Sequence, residues 1–173
     1  RSMYPTLKEN QRLILNRTFR ITGKPIEVGD IITFEAPSVK RVNEIDYNNP
    51  VATYNYEPQG LLEKFSYYVL ESGKRSYIKR VIGLPGDWIE IDTDGTVYLN
   101  GEKLDEPYAE QIAFGECDLE FPYQVPDNHY FVMGDHRDVS IDSRHTSVGC
   151  VSEEQIVGKL KLRVWPLNNV EIF

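Results

Sequence analysis

Along the chain, apolar and polar residues alternate over short runs set off by Gly, Pro and Asp. Five stretches carry this pattern with β-branched and aromatic residues: IEVGDIITFE (Ile26 to Glu35), SYIKRVIG (Ser76 to Gly83), DWIEIDTDGTVYLNGEKL (Asp87 to Leu104), NHYFVMGD (Asn128 to Asp135) and GKLKLRVWPL (Gly158 to Leu167). Such runs between turn formers read as strands. Asp94-Gly95 and Asn100-Gly101 tolerate positive φ, so the longest run folds back on itself twice as a meander. Asp92-Thr93-Asp94-Gly95 opens like a calcium loop but lacks its third acidic position and distal Glu, which leaves it a turn. One segment has helical spacing instead: Leu61, Leu62, Phe65, Tyr68 and Val69 recur on one face, and Gly73 stands where a stop is expected, predicting an amphipathic helix over 60–72. That helix lies within 37–75, which opens with the Pro-, Asn- and Tyr-rich run NEIDYNNPVATYNYEPQG and separates two strongly β segments. The expected architecture is therefore mainly β: a β core from 1–36 and 76–173, with a small, partly helical insertion at 37–75 and a short excursion at 103–126.

Composition narrows the picture. A chain of 173 residues, 40% hydrophobic, with 11 Tyr and 7 Phe, has the material for one hydrophobic core and is too apolar to stay disordered. The net charge of −8 and the lack of a basic stripe argue against nucleic acid as a partner. No window approaches the roughly 18 consecutive apolar residues that a spanning helix requires, and nothing after Arg1 resembles a targeting peptide, so the chain as it stands reads as soluble. Cys117 and Cys150 have neither C-x-x-C spacing nor a His pair nearby. They form no zinc ligand set and read as free thiols, with a disulfide between them open only in an oxidising compartment.

The chemistry must then come from other side chains, because no G-x-S-x-G elbow, H-E-x-x-H helix, phosphate-cradling loop or dinucleotide fingerprint is present. Two nucleophilic arrangements can be drawn. In GDHRDVSIDSRHTSVG, His136 and His145 lie close to Asp135, Asp138 and Asp142, the elements of a Ser/His/Asp set, although a segment so rich in Asp, Ser and Arg brings such groups together by composition alone. In YIKRVIGLPGD, Lys79 shares a strand face with Tyr77 and Val81. Burial on such a face lowers a lysine from about 10.4 to roughly 7 or 8, where it can take a proton from a serine hydroxyl. The alternative for Lys79 is a surface lysine that lays its stem on apolar neighbours.

Three blocks in order, SMYPTL (Ser2 to Leu7), YIKRVIGLPGD (Tyr77 to Asp87) and GDHRDVSIDSR (Gly134 to Arg144), with a fourth, GDIITF (Gly29 to Phe34), resemble bacterial type I signal peptidase, a Ser-Lys serine endopeptidase. The resemblance spans nearly the whole chain and is of the Gram-positive kind. It implies a signal-peptidase-like antiparallel β fold, shared with self-cleaving repressor domains, and removal of signal peptides from exported preproteins without metal or organic cofactor. By the same resemblance Ser2 matches the nucleophile, Lys79 the general base and Ser140 the hydroxyl that orients the lysine amine. Asp142 with Arg144, and Asp135 with Arg80, match structural ion pairs, and Met3, Leu7, Tyr77 and Ile78 match the substrate pocket that selects small residues before the cut. The Ser2 backbone N–H and a group two positions before the serine match the oxyanion donors. The implied setting is the cell membrane: a single-pass N-terminal anchor precedes the serine block, the catalytic domain lies outside the cytoplasm, and the present chain corresponds to a soluble truncation.

Two departures from the family pattern stand out. His136 takes the place of the asparagine common after Gly-Asp, and 37–75 is longer than the loop by which typical members reach the lysine block. Client choice is the open point, the competing reading being a dedicated or non-catalytic relative that binds pilin clients during surface assembly.

Overall fold

The computed structural model describes residues 1–19, 25–36, 59–68 and 76–173. Eleven strands are present among these residues, and every strand pair is antiparallel. The larger sheet contains β1 (Arg12–Asn16), β2 (Ile31–Glu35), β3 (Ser76–Gly83), β8 (His129–Met133), β9 (Val151–Ser152), β10 (Ile156–Trp165) and β11 (Glu171–Ile172). Its order is β1-β10-β2-β3-β8-β9, with β11 on the far side of β10 from β1. The smaller sheet, β6-β5-β4-β7, is built from β4 (Trp88–Ile91), β5 (Val97–Leu99), β6 (Glu102–Lys103) and β7 (Tyr123–Gln124). The mainly β, antiparallel architecture expected from the sequence is the one observed.

Strand β3 sits at the centre because both of its faces are apolar enough to be covered. In its ladder with β2, Ile32 lies opposite Lys79 and Ile31 opposite Arg80. The period of two then sends Tyr77, Lys79 and Val81 to one face and Ile78, Arg80 and Ile82 to the other. On the first face Val81 packs with Ile32, Phe34, Val132 and Ile156. On the second, Ile82 joins Ile89, Phe131 and Met133 in a core shared with the smaller sheet, while Ile78 packs against Met3, Leu7, Ile31 and Leu160. Each buried aliphatic or aromatic side chain of this kind contributes about 1.5–3 kcal/mol. The central strand is therefore held far more rigidly than an edge strand.

The helix α1 spans Leu61–Tyr68 in the expected segment, with Leu61, Leu62 and Phe65 exposed. The remainder of the expected helix and most of the 37–75 insertion lie outside the described residues. The 103–126 stretch is more than a surface detour. Its far end forms β7, which pairs with β4 through Trp88 opposite Gln124, and Leu119, Tyr123 and Val125 are buried in the second core. Cys117 and Cys150 are both free thiols; Cys150 is buried beside the Tyr123 hydroxyl. No helix among the described residues is long and apolar enough to cross a membrane.

Candidate active site

Three chain segments meet at one end of the larger sheet: the N-terminal turns, the middle of β3, and the loop that follows β8. Backbone bonds from Tyr4 N–H to the Arg1 carbonyl (3.1 Å) and from Leu7 N–H to the Met3 carbonyl (2.7 Å) wind residues 1–7 into successive turns. Met3 and Leu7 anchor those turns in the apolar cluster under β2 and β10. Thr6 ties them to the loop, its hydroxyl donating to Asp135 Oδ2 at 2.5 Å. The loop grips Ser2 itself through His136 N–H, which donates to the Ser2 carbonyl at 3.0 Å.

Gly134 makes this meeting sterically possible. A Cβ there would stand 2.3 Å from Ser140 Oγ and 2.4 Å from the Ser2 carbonyl oxygen, closer than real Cβ contacts come. The space a side chain would fill is thus the space in which Ser2 and Ser140 approach one another.

Lys79 reaches into the same place from β3. It is only 3% exposed, and its Nζ donates to Ser140 Oγ at 2.7 Å. Ser140 in turn donates to Asp142 Oδ2 at 2.7 Å, so its hydroxyl is fixed from both sides. Burial lowers the Lys79 pKa to about 8; the Asp142 and Asp135 carboxylates work against that shift and Arg144 reinforces it. Asp142 is itself fully buried, which alone would push its carboxyl up, but Arg144 holds it below the ordinary value. Arg144 does so with two of its three guanidinium nitrogens, Nε to Oδ1 at 2.8 Å and Nη2 to Oδ2 at 2.9 Å, and Gly134 N–H adds a further donor at 2.9 Å.

The second pair is bidentate as well. Arg80 Nε and Nη2 donate to Asp135 Oδ1 and Oδ2 at 2.8 and 2.7 Å, while Nη1 caps the Gly29 carbonyl at 2.8 Å. Both pairs are buried, so removing one partner would leave an uncompensated charge. The loop's backbone is consequently pinned to β3 on one side and to its own base on the other.

The remaining residues named from the sequence fall into two settings. Met3 and Leu7 are 2% and 7% exposed, and Ile78 packs against them, whereas Tyr77 is 39% exposed with its ring centroid 5.9 Å from Lys79 Nζ. A hollow of about 750 Å³ opens between the N-terminal turns and the loop, lined by Tyr4, Leu7, His136 and Val139 with Arg1, Lys8 and Glu9. The histidines are engaged elsewhere: His136 Nε2 faces Asp138 at 3.1 Å, and His145 accepts from Ser147 N–H at 3.1 Å and lies 3.8 Å from Asp118. None of those partners is a serine hydroxyl, so the Ser/His/Asp arrangement drawn from the sequence is not assembled. Among the described residues, no group of three or more His, Cys, Asp or Glu could hold a metal ion.

Sequence reasoning missed a second layer behind the loop. Arg137 is 1% exposed and is clasped by both carboxylate oxygens of Glu106, from the 103–126 stretch. Tyr108 donates its hydroxyl to Glu106 at 3.0 Å and lies 3.9 Å from the Arg80 guanidinium, measured to the ring centroid. No periodicity marks Glu106 or Tyr108; the one available signal was a Glu and a Tyr two residues apart in a loop facing an Arg-rich block.

The site thus brings a buried lysine of lowered pKa onto a serine hydroxyl within an antiparallel β domain. The sequence model of the family described as signal peptidase, peptidase S26, matches residues 1–165. Signal peptidase I S of Bacillus subtilis (strain 168) is 34% identical over 177 residues, covering 98% of this chain and 75% of that protein. Signal peptidase IB of Staphylococcus aureus (strain COL) is 40% identical over 182 residues, covering 96% of this chain and 75% of that protein. A crystal structure of a signal peptidase I from Enterococcus faecalis V583 superposes with a TM-score of 0.49 at 25% identity, covering 78% of this chain and 96% of that one. The chain belongs to the signal peptidase family, peptidase S26. Membership makes it a serine endopeptidase that removes signal peptides.

Proposed function

We propose that Ser2 is the nucleophile and Lys79 the general base of this reaction, and that cleavage proceeds through an acyl-enzyme on Ser2. The observation that carries the reading is the state of Lys79: buried, lowered to about 8, and aimed by Ser140 in the loop that also binds the Ser2 carbonyl. A lysine at its ordinary value would be protonated at neutral pH and unable to accept a proton, whereas one near 8 is neutral often enough to do so.

In the first half-reaction, neutral Lys79 takes the Ser2 Oγ proton as Oγ bonds to the scissile carbonyl carbon. The negative charge that develops on the carbonyl oxygen is met by the Ser2 backbone N–H, with a second donor supplied, by family likeness, from before Arg1. Lys79, now an ammonium, gives its proton to the departing amine, and the C–N bond breaks. In the second half-reaction Lys79 takes a proton from water, water attacks the ester, and the proton returns to Ser2 Oγ as the signal peptide leaves with a new carboxylate.

The substrate is a preprotein with small residues before the cut. Met3, Leu7, Tyr77 and Ile78 form the walls that exclude bulk, with the Met3 and Leu7 side chains filling depth that a large residue would need. The reaction takes place at the outer face of the cell membrane, where exported preproteins emerge. The test compares cleavage of a preprotein carrying an Ala-x-Ala site by the parent, Ser2→Ala and Lys79→Met proteins. Each variant is expected to lose activity about a thousandfold or more while folding normally, and the double variant to lose no more than the singles. Wild-type rates in either single variant would remove that residue from the mechanism.

A further inference from the structure

We propose that Glu106 is a positioning residue for the reaction, acting through Arg137 and Tyr108 to fix the loop that orients Lys79; the inference rests on the Ser2–Lys79 reading above. Arg137 is the only bridge by which Glu106 reaches the loop backbone directly among the contacts described. While Glu106 holds its Nη atoms, Arg137 Nε donates to the Gly134 carbonyl at 3.1 Å. Gly134 is the residue against which Ser2 and Ser140 are packed.

The same clasp fixes the arginine's backbone, and the Arg137 carbonyl accepts Arg144 Nη2 at 2.8 Å. Arg144 then holds Asp142, Asp142 holds the Ser140 hydroxyl, and Ser140 holds the lysine. The segment around Glu106 also closes from below. The Phe114 carbonyl accepts Arg144 Nη1 at 2.7 Å, and a Cβ at Gly115 would lie 2.4 Å from the Arg137 carbonyl oxygen, so the backbone of this stretch is pressed onto both arginines. On its other side Tyr108, bonded to Glu106, stacks on Arg80, whose Asp135 partner also binds the turn that carries Ser2.

Charge gives Glu106 a role that packing alone would not. Arg137 feels the Asp142 carboxylate as well as Glu106. Without the Glu106 carboxylate the Arg137 cation stands unbalanced behind the loop, and the arrangement that aims its Nε at the Gly134 carbonyl is lost. An unbalanced cation behind the loop disfavours the ammonium form of Lys79, and a loosened Gly134 carbonyl lets the Ser140 loop shift, so the lysine loses its aim and its pKa falls further.

The experiment measures kcat, KM and the pH profile of kcat for the parent protein, Glu106→Gln and the double variant Glu106→Leu/Arg137→Met, with folding followed by circular dichroism and Ser2→Ala as reference. Glu106→Gln keeps the shape and one acceptor, and is expected to lower kcat about tenfold or more, change KM less than about threefold, and shift the apparent pKa of kcat downward. The double variant replaces a buried ion pair by apolar groups, a change that folds tolerate. It is expected to fold and remain slow because the Gly134 carbonyl has lost its donor. A folded Glu106→Gln or double variant with parental kcat and an unmoved pH profile would overturn the proposal and leave Glu106 a structural residue. Parental activity in Ser2→Ala would instead overturn the dyad on which it rests.

Discussion

Lys79 is where folding and the proposed reaction compete. In the unfolded chain its amine sits near 10.5, and in the folded protein near 8, so folding at neutral pH forces a charged group into a poor environment. The sign follows directly: the unfolded state holds the extra proton between about pH 8 and 10.5, so stability rises with pH across that window. Below it both states are protonated and the full penalty, roughly 3 kcal/mol at most, is present. Lys79→Met removes the penalty. It is expected to raise the urea midpoint at pH 7 and to lose that advantage as pH rises toward 10.5, while also losing cleavage if Lys79 is the proposed base. Destabilisation at pH 7 would mean that the amine's bond to Ser140 outweighs its desolvation. The face on which Lys79 lies was legible in the sequence, because Tyr77 and Val81 share it by strand periodicity. Its burial was not, since that depends on Ile32 lying opposite it in the ladder, a pairing set by register and not by local sequence.

At the level of elements, the site is a loop clamped between a strand and a turn. Ser76 to Gly83 was read as a strand with the bounds observed, and the two reversals after Asp87 formed where Asp-Gly and Asn-Gly stand. β1 escaped notice because RLILN is short and joins the sheet through β10, with Ile14 left exposed; only Leu13 and Leu15 signal the core side. The motif residues Ser140, Asp142 and Arg144 were recognised from the pattern of their block, but Thr6, Glu106 and Tyr108 act through space from segments without periodicity. Gly134 is the element's weak point. Gly134→Ala is expected to drive a methyl group into Ser140 Oγ and the Ser2 carbonyl, costing about 1–3 kcal/mol of stability. Cleavage should fall at least about a hundredfold, because small displacements of reacting groups are costly. A thermal melt and a cleavage assay on the same preparation check this; an active, equally stable variant would show that Ser2 and Ser140 need not meet there.

Across the whole molecule, the two sheets divide the work. The larger sheet carries Lys79 on its central strand and seats Met3 and Leu7, while the stretch leading to β7 in the smaller sheet closes over Arg137 and Arg144 of the 134–144 loop. The acidic surface, with a net charge of −8, leaves the buried arginines as the site's local cations, each already committed to a carboxylate. Among these paired charges, burial lowers the one lysine amine to about 8. Activation of Ser2 by neutral Lys79, as proposed above, is tested by the pH dependence of kcat/KM for cleavage of an Ala-x-Ala preprotein by the intact protein. Activity is expected to rise tenfold per pH unit on the acid side and level off with an apparent pKa near 8, the value at which Lys79 gives up its proton. A profile already flat below about pH 7, or one limb near 6.5 where an ordinary histidine titrates, would contradict it.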